Sequence, residues 1–265
     1  MDWRAKIRVV LFTISLVVAS VAFIRFIQFQ YDSEIRETGT LVSAEAEVER
    51  EEPENDNEND EVENDEEIEE DFGGPPVDFA YWQSINPDIH GWIRIPGTQV
   101  DYPILQSDDN QEFYLNHNVY REPDNAGAIF TENFNRLDFR DVHTLIYGNN
   151  MGDGQRFGSL SQYLDFYFMV GNDIIYIHTP RNIFRYQIVY VITYDDRHIL
   201  DNFDFRDEDD YSRFLDTLRS ASGLWNPNIY LNVGDRLITL STSSDNPRQR
   251  FLVGATLIDE RSHSL

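Results

Sequence analysis

Cysteine does not occur in the 265 residues of this chain. That absence excludes disulfide staples, thiolate metal ligands and any thiol nucleophile. A domain of this composition must rest on its hydrophobic core alone. Basic residues are few beside acidic ones: 21 Lys and Arg face 48 Asp and Glu, a net charge of −27. Such a balance argues against nucleic acid as a partner. His90, His117, His178 and His263 fall in scaffold or tail positions and form no metal-ligand spacing.

The long apolar run stands at the N-terminus. Arg4, Lys6 and Arg8 precede it, Val9 to Ile24 is uncharged, and the apolar character extends to Phe29, 21 residues in all. About 20 apolar residues cross a bilayer as a helix, and Arg25 near the end can snorkel to the headgroups. A signal peptide cleaved near Ala19-Ser20-Val21-Ala22 is the rival reading, but the run continues past Ala22, which favours an uncleaved anchor. Basic residues before the span and acidic ones after it place the N-terminus in the cytoplasm and the bulk outside the membrane. Residues 1–30 are therefore read as basic tip and transmembrane anchor.

Residues 31–76 read as a disordered acidic linker. Between Glu45 and Asp71 stand 17 acidic residues and one basic residue, Arg50, without aromatics or hydrophobic period. Self-repulsion keeps such a segment extended. Its composition fits a solvated spacer better than a calcium- or partner-binding tail. Gly73-Gly74-Pro75-Pro76 then marks the boundary of a folded domain over 77–265, long enough for one well-buried core.

Within that domain, Phe79 to Ile85 predicts a short helix stopped before Pro87. Strand signals follow at Trp92–Ile95, Val100–Leu105, Gly127–Phe130, Thr144–Tyr147, Ile174–His178, Phe184–Thr193, Arg236–Ser241 and Phe251–Ile258. Together they predict a mostly β domain closed as a barrel or sandwich. One segment breaks the pattern: Tyr211, Phe214, Leu215 and Leu218 share a helical face behind the acidic start Asp207-Glu208-Asp209-Asp210. That acidic start lacks the glycine and distal glutamate of a calcium loop, so helix capping explains it.

Several motifs, in order, resemble class B sortases. They are Asn86 to Thr98, Asp101-Tyr102-Pro103-Ile104, Tyr114-Leu115-Asn116-His117, Ala126 to Phe130, Leu145 to Gly154, Phe157-Gly158-Ser159-Leu160, Thr239 to Ser243 and Arg250 to Val253. The resemblance implies a sortase-like closed β-barrel of about eight strands with short helices, anchored in the membrane of a Gram-positive cell. It places Asn149 at the position of the family's catalytic histidine, Ser243 at that of the nucleophilic cysteine, and Arg250 at that of the catalytic arginine. The family's reaction, cleavage of a sorting-signal peptide and transfer to a cell-wall or pilin amine, needs no metal or organic cofactor.

A serine hydroxyl must lose its proton to a positioned base, and a carboxamide does not titrate in water. Loss of a nucleophile–base pair leaves roughly 10³–10⁴ over water, from binding and oxyanion stabilisation. His143 lies six residues before Asn149, about 20 Å along a strand and at the wrong end. His198, in a segment that could pass the site, is the one candidate replacement, but beside Asp195, Asp196 and Arg197 it reads first as an exposed loop histidine. Arg250 keeps a donor fork suited to a peptide carbonyl. The sequence thus points to a pseudoenzyme that binds a sorting-signal peptide or another surface protein. The alternative is an active acyl transferase or hydrolase with Ser243 as nucleophile.

Overall fold

The computed structural model describes Gly74, residues 76–195 and residues 199–263. The expected anchor over 1–30, and the expected linker over 31–76 apart from Gly74 and Pro76, lie outside the described residues. Among the described residues, no helix is long and apolar enough to cross a membrane.

The first helix, α1 (Phe79–Ile85), starts where the Asp78 carboxylate accepts from the Tyr81 backbone N–H at 2.9 Å. It ends at Asn86, whose φ of −146° is the extended backbone that a following proline demands. Among the described residues nine strands follow: β1 (Ile89–Arg94), β2 (Asp101–Leu105), β3 (Ile129–Thr131), β4 (His143–Tyr147), β5 (Ile174–His178), β6 (Asn182–Asp195), β7 (Ser222–Trp225), β8 (Leu237–Ser243) and β9 (Gln249–Ser262). Their lateral order is β5-β1-β2-β3-β4-β8-β9-β6-β7, and a further β5–β6 pairing closes eight of them into a barrel. The barrel is mixed: β2–β3 and β4–β8 run parallel, and the other pairs antiparallel. The 14-residue β6 spans both situations, with β5 on Ile183–Gln187 and β7 on Tyr190–Thr193.

Strand alternation sorts the apolar residues into two layers. Ile238, Leu240, Val253 and Ala255 point into the barrel with Ile93, Ile146 and Ile177. Leu145, Leu237 and Leu252 point outward, into a second cluster with Tyr211, Phe214, Leu215 and Leu218. Those four residues form the buried face of α4 (Glu208–Ser220), after α2 (Phe166–Gly171) and the short α3 (Ile199–Asn202). The helix expected over 207–219 is thus present. Asp207 caps it by accepting from the Asp210 N–H at 2.9 Å, three acids occupy its first turn, and Arg219 lies in its last. Each large side chain buried on that face contributes about 1.5–3 kcal/mol of transfer free energy.

Three features depart from the sequence-based expectation. β6 and β9 are longer than their apolar runs, because each is paired along its whole length by the other and needs little propensity of its own. β7 was not foreseen, since Ser-Gly-Leu-Trp is a weak strand signal; at Gly223 any Cβ would meet the Val191 carbonyl oxygen at 2.1 Å. α2 is too short to show a period and depends on its cap, the Asp165 carboxylate accepting from the Phe168 N–H at 2.9 Å.

Candidate functional site

β4 and β8 are parallel neighbours with Tyr147 opposite Ser241, so both strands end on one rim of the barrel. The Gly148 N–H extends the ladder by donating to the Ser241 carbonyl at 3.2 Å. Asn149 therefore leaves the sheet beside the last residues of β8. β9 returns antiparallel with Arg250 directly opposite Ser243, which places their Cβ atoms about 4.5–5.5 Å apart. The structure brings Asn149, Ser243 and Arg250 together around one cleft of about 320 Å³.

The hairpin joining β8 to β9 is held from within. The Ser244 hydroxyl is placed to donate to the Asn246 and Gln249 carbonyls, at 2.9 and 3.2 Å, and the Gln249 N–H donates to the Asn246 carbonyl at 2.9 Å. This turn fixes which arginine faces the cleft. Arg248 belongs to the hairpin and is exposed, whereas Arg250 and Leu252 line the cleft and Phe251 and Val253 turn inward.

Asn149 is committed to scaffolding. Its amide nitrogen donates to the Leu115 carbonyl at 2.8 Å and to the Asn125 carbonyl at 3.2 Å, using both of its hydrogens. The neighbouring Asn150 amide donates to the Ser243 carbonyl at 3.1 Å and ties the loop after β4 to the end of β8. Ser243 itself is exposed on the rim. Leu115, Tyr147, Tyr194 and Leu252 supply apolar walls, while Glu112, Glu132 and Asp195 supply carboxylates. Glu132 is only 8% exposed and accepts from the Tyr147 hydroxyl at 3.2 Å.

No imidazole of the described residues lines this cleft. His143 pairs with Leu237 at the far end of β4, where its Nε2 lies 2.8 Å from the Thr239 hydroxyl. Burial pushes His143 down from 6.5 to about 3, and its Nδ1 has no partner among the described residues. His90 is stacked on Phe139 and bonded to the Leu137 carbonyl and the Thr131 hydroxyl; burial pushes it down to about 4. His117 stacks on Phe113, His178 is buried on β5, and His263 reaches the Thr179 carbonyl. His198, the candidate replacement, lies outside the described residues. Nor does any group of three His, Cys, Asp or Glu among the described residues make a metal site.

Three residues of the site escaped sequence reasoning. Glu132 follows a three-residue strand and Asn150 adjoins Asn149, so neither carries a periodic signal. Thr242 carries no sequence signal beyond that of a strand residue, yet its buried hydroxyl has no partner among the described residues.

A closed mixed barrel, with a helix on its outer face and a cleft where two parallel strands end, is the fold of the sortases. No family model matches the chain. Sortase B of Listeria monocytogenes is 35% identical over 181 residues, covering 66% of this chain and 72% of that protein. Sortase B of Staphylococcus aureus is 34% identical over 185 residues, covering 68% of this chain and 74% of that protein. A Staphylococcus aureus sortase B–substrate complex superposes with a TM-score of 0.61 at 32% identity, over 68% of this chain and 84% of that one. The chain belongs to the sortase B family.

Proposed function

We propose that this chain is a surface-anchored sortase B-family protein that recognises a peptide and has lost thiol-based transpeptidation. The observation that carries the reading is chemical: the cleft at the strand ends presents Ser243 opposite Arg250, with no cysteine in the chain and no imidazole of the described residues lining it. In this reading Asn149 stands where the family has its histidine and Ser243 where it has its cysteine. Asn149 then acts as a strut, since both its amide hydrogens are taken by main-chain carbonyls. Arg250 offers its donor fork to a peptide carbonyl. The solved complex of the Staphylococcus aureus protein with a substrate supports a peptide, here a sorting signal or a segment of another surface protein, as the ligand.

The surface setting rests on sequence. The apolar run over 9–29 anchors the chain with its N-terminus in the cytoplasm, residues 31–76 form the spacer, and 77–265 form the recognition domain outside a Gram-positive cell. A cell-wall or pilin amine would be the acceptor if any transfer occurred, and no cofactor takes part.

The test incubates the full chain with a library of sorting-signal peptides and triglycine as amine acceptor, followed by intact mass spectrometry of peptide and protein. The expected result is measurable peptide binding with unchanged masses. A peptide cut by the native chain but not by Ser243→Ala, or an acyl adduct on Ser243, would instead establish a serine acyl transferase or hydrolase.

A further inference from the structure

The end of β8 separates two cavities. Ser241, Ser243, Arg250 and Leu252 face the outer cleft described above. On the opposite face, Thr193, Thr242 and Phe251 point the way of the barrel core and open into a second cavity of about 300 Å³ at the barrel mouth. Ser243 and Thr242 line both.

The mouth cavity is built for hydrogen bonding without charge selection for anions. Among the described residues, Asn150, Ser161, Thr193, Asn246 and Gln249 present neutral hydroxyls and amides, Asp245 is the one acidic side chain, and no lysine or arginine lines the cavity. Thr242 is 4% exposed, yet its Oγ1 has no partner among the described residues. A buried hydroxyl left without a partner is unfavourable, and an incoming donor or acceptor relieves that deficit. Amide side chains that both donate and accept match a polypeptide backbone. Among the described residues, phosphate and carboxylate ligands find no cation here.

An apolar stripe continues from this cavity. Leu164 lines the cavity and is 67% exposed; Asp165 then caps α2, which exposes Phe166, Tyr167 and Val170 on one side, Tyr167 to 84%. Phe166 and Val170 are four apart and Tyr167 and Val170 three apart, so these side chains share a helix face. Exposed apolar side chains beside a polar cavity suit a surface for a protein partner.

Resting on the peptide-recognition reading above, we propose that the ligand is a longer polypeptide segment that crosses Ser243. One part would lie in the outer cleft against Arg250. The part beyond Ser243 enters the barrel mouth in extended form, bonds Thr242, and lays apolar side chains on Leu164, Phe166, Tyr167 and Val170. Recognition would thus read residues on both sides of the position over Ser243.

The probe is a randomised dodecapeptide library selected on the full chain, with retained peptides re-measured on Arg250→Ala, Thr242→Val and Tyr167→Ser variants and after stepwise truncation from each end. Folding of each variant is checked by its urea midpoint. The expected peptides weaken on all three variants, and removing one end lowers affinity about tenfold while abolishing sensitivity to Thr242→Val and Tyr167→Ser. Peptides sensitive to Arg250→Ala alone, with truncation costing less than twofold, overturn this inference and leave the outer-cleft reading standing. Peptides sensitive only to Thr242→Val and Tyr167→Ser overturn the outer-cleft reading and also the crossing, keeping the mouth as a separate site. A library that yields no binder overturns both.

Discussion

Asn149 is where chemistry and architecture meet at the scale of single residues. Its two donated bonds bind the loops at Leu115 and Asn125 to the end of β4, so Asn149→Ala should cost about 1–2 kcal/mol, read from urea denaturation of the full chain. An unchanged midpoint would mean that those bonds contribute nothing. The chemical side is tested by restoring the family's pair. Ser243→Cys with Asn149→His should yield peptide transfer to triglycine, while either single change should yield far less, because nucleophile and base act as a unit. Activity in Ser243→Cys alone would show that a base other than residue 149 serves the cleft.

Elements rather than residues set the geometry of the cleft. α4 covers the outer face of β4, β8 and β9 through Tyr211, Phe214, Leu215 and Leu218, so Leu218→Ala should destabilise by about 2–5 kcal/mol, and loss of the cap in Asp207→Ala by about 1 kcal/mol. Denaturant midpoints of the two variants give the comparison; a cap loss equal to the core loss would contradict this division. This helix was legible in the sequence because its i, i+3, i+4, i+7 pattern and its acidic N-terminus agree. The strands at Ile174–His178 and Thr144–Tyr147 were equally legible from their β-branched runs. β7 and α2 were not, since one is held by an edge of β6 and the other by a cap. The site was legible only through motif order. Ser243 and Arg250 carry no signal of their own, and their pairing is a matter of register between strands. Glu132 and the Thr242 hydroxyl owe their placement to neighbours far away in sequence.

Across the whole molecule, two buried imidazoles tie stability to acidity. His90 and His143 fold as neutral groups, with values near 4 and 3 against 6.5 in the unfolded chain. Above about pH 6.5 neither state takes up the proton and the contribution is constant. As pH falls below that, the unfolded chain binds protons the folded one refuses. Stability should then drop by about 1.4 kcal/mol per pH unit for each histidine, down to about pH 4. Urea midpoints measured from pH 7 to 5 should show that decline; a flat profile would mean that both rings take a proton while folded, and half the slope that one of them does.

The parallel pairing of β4 with β8 has one more consequence, which concerns time. His143 and Thr239 meet across 96 positions of sequence, and the cleft exists only once that pairing has closed. A ribosome must therefore deliver nearly all of the chain before any site can form, and the intervening β5, β6 and α4 wait with their apolar faces uncovered. Non-local pairing of this kind is slow, on the order of milliseconds to seconds even in small domains. Refolding followed by tryptophan fluorescence should lag well behind the early gain of far-ultraviolet helix signal from α4, and peptide binding should return only with the slower phase.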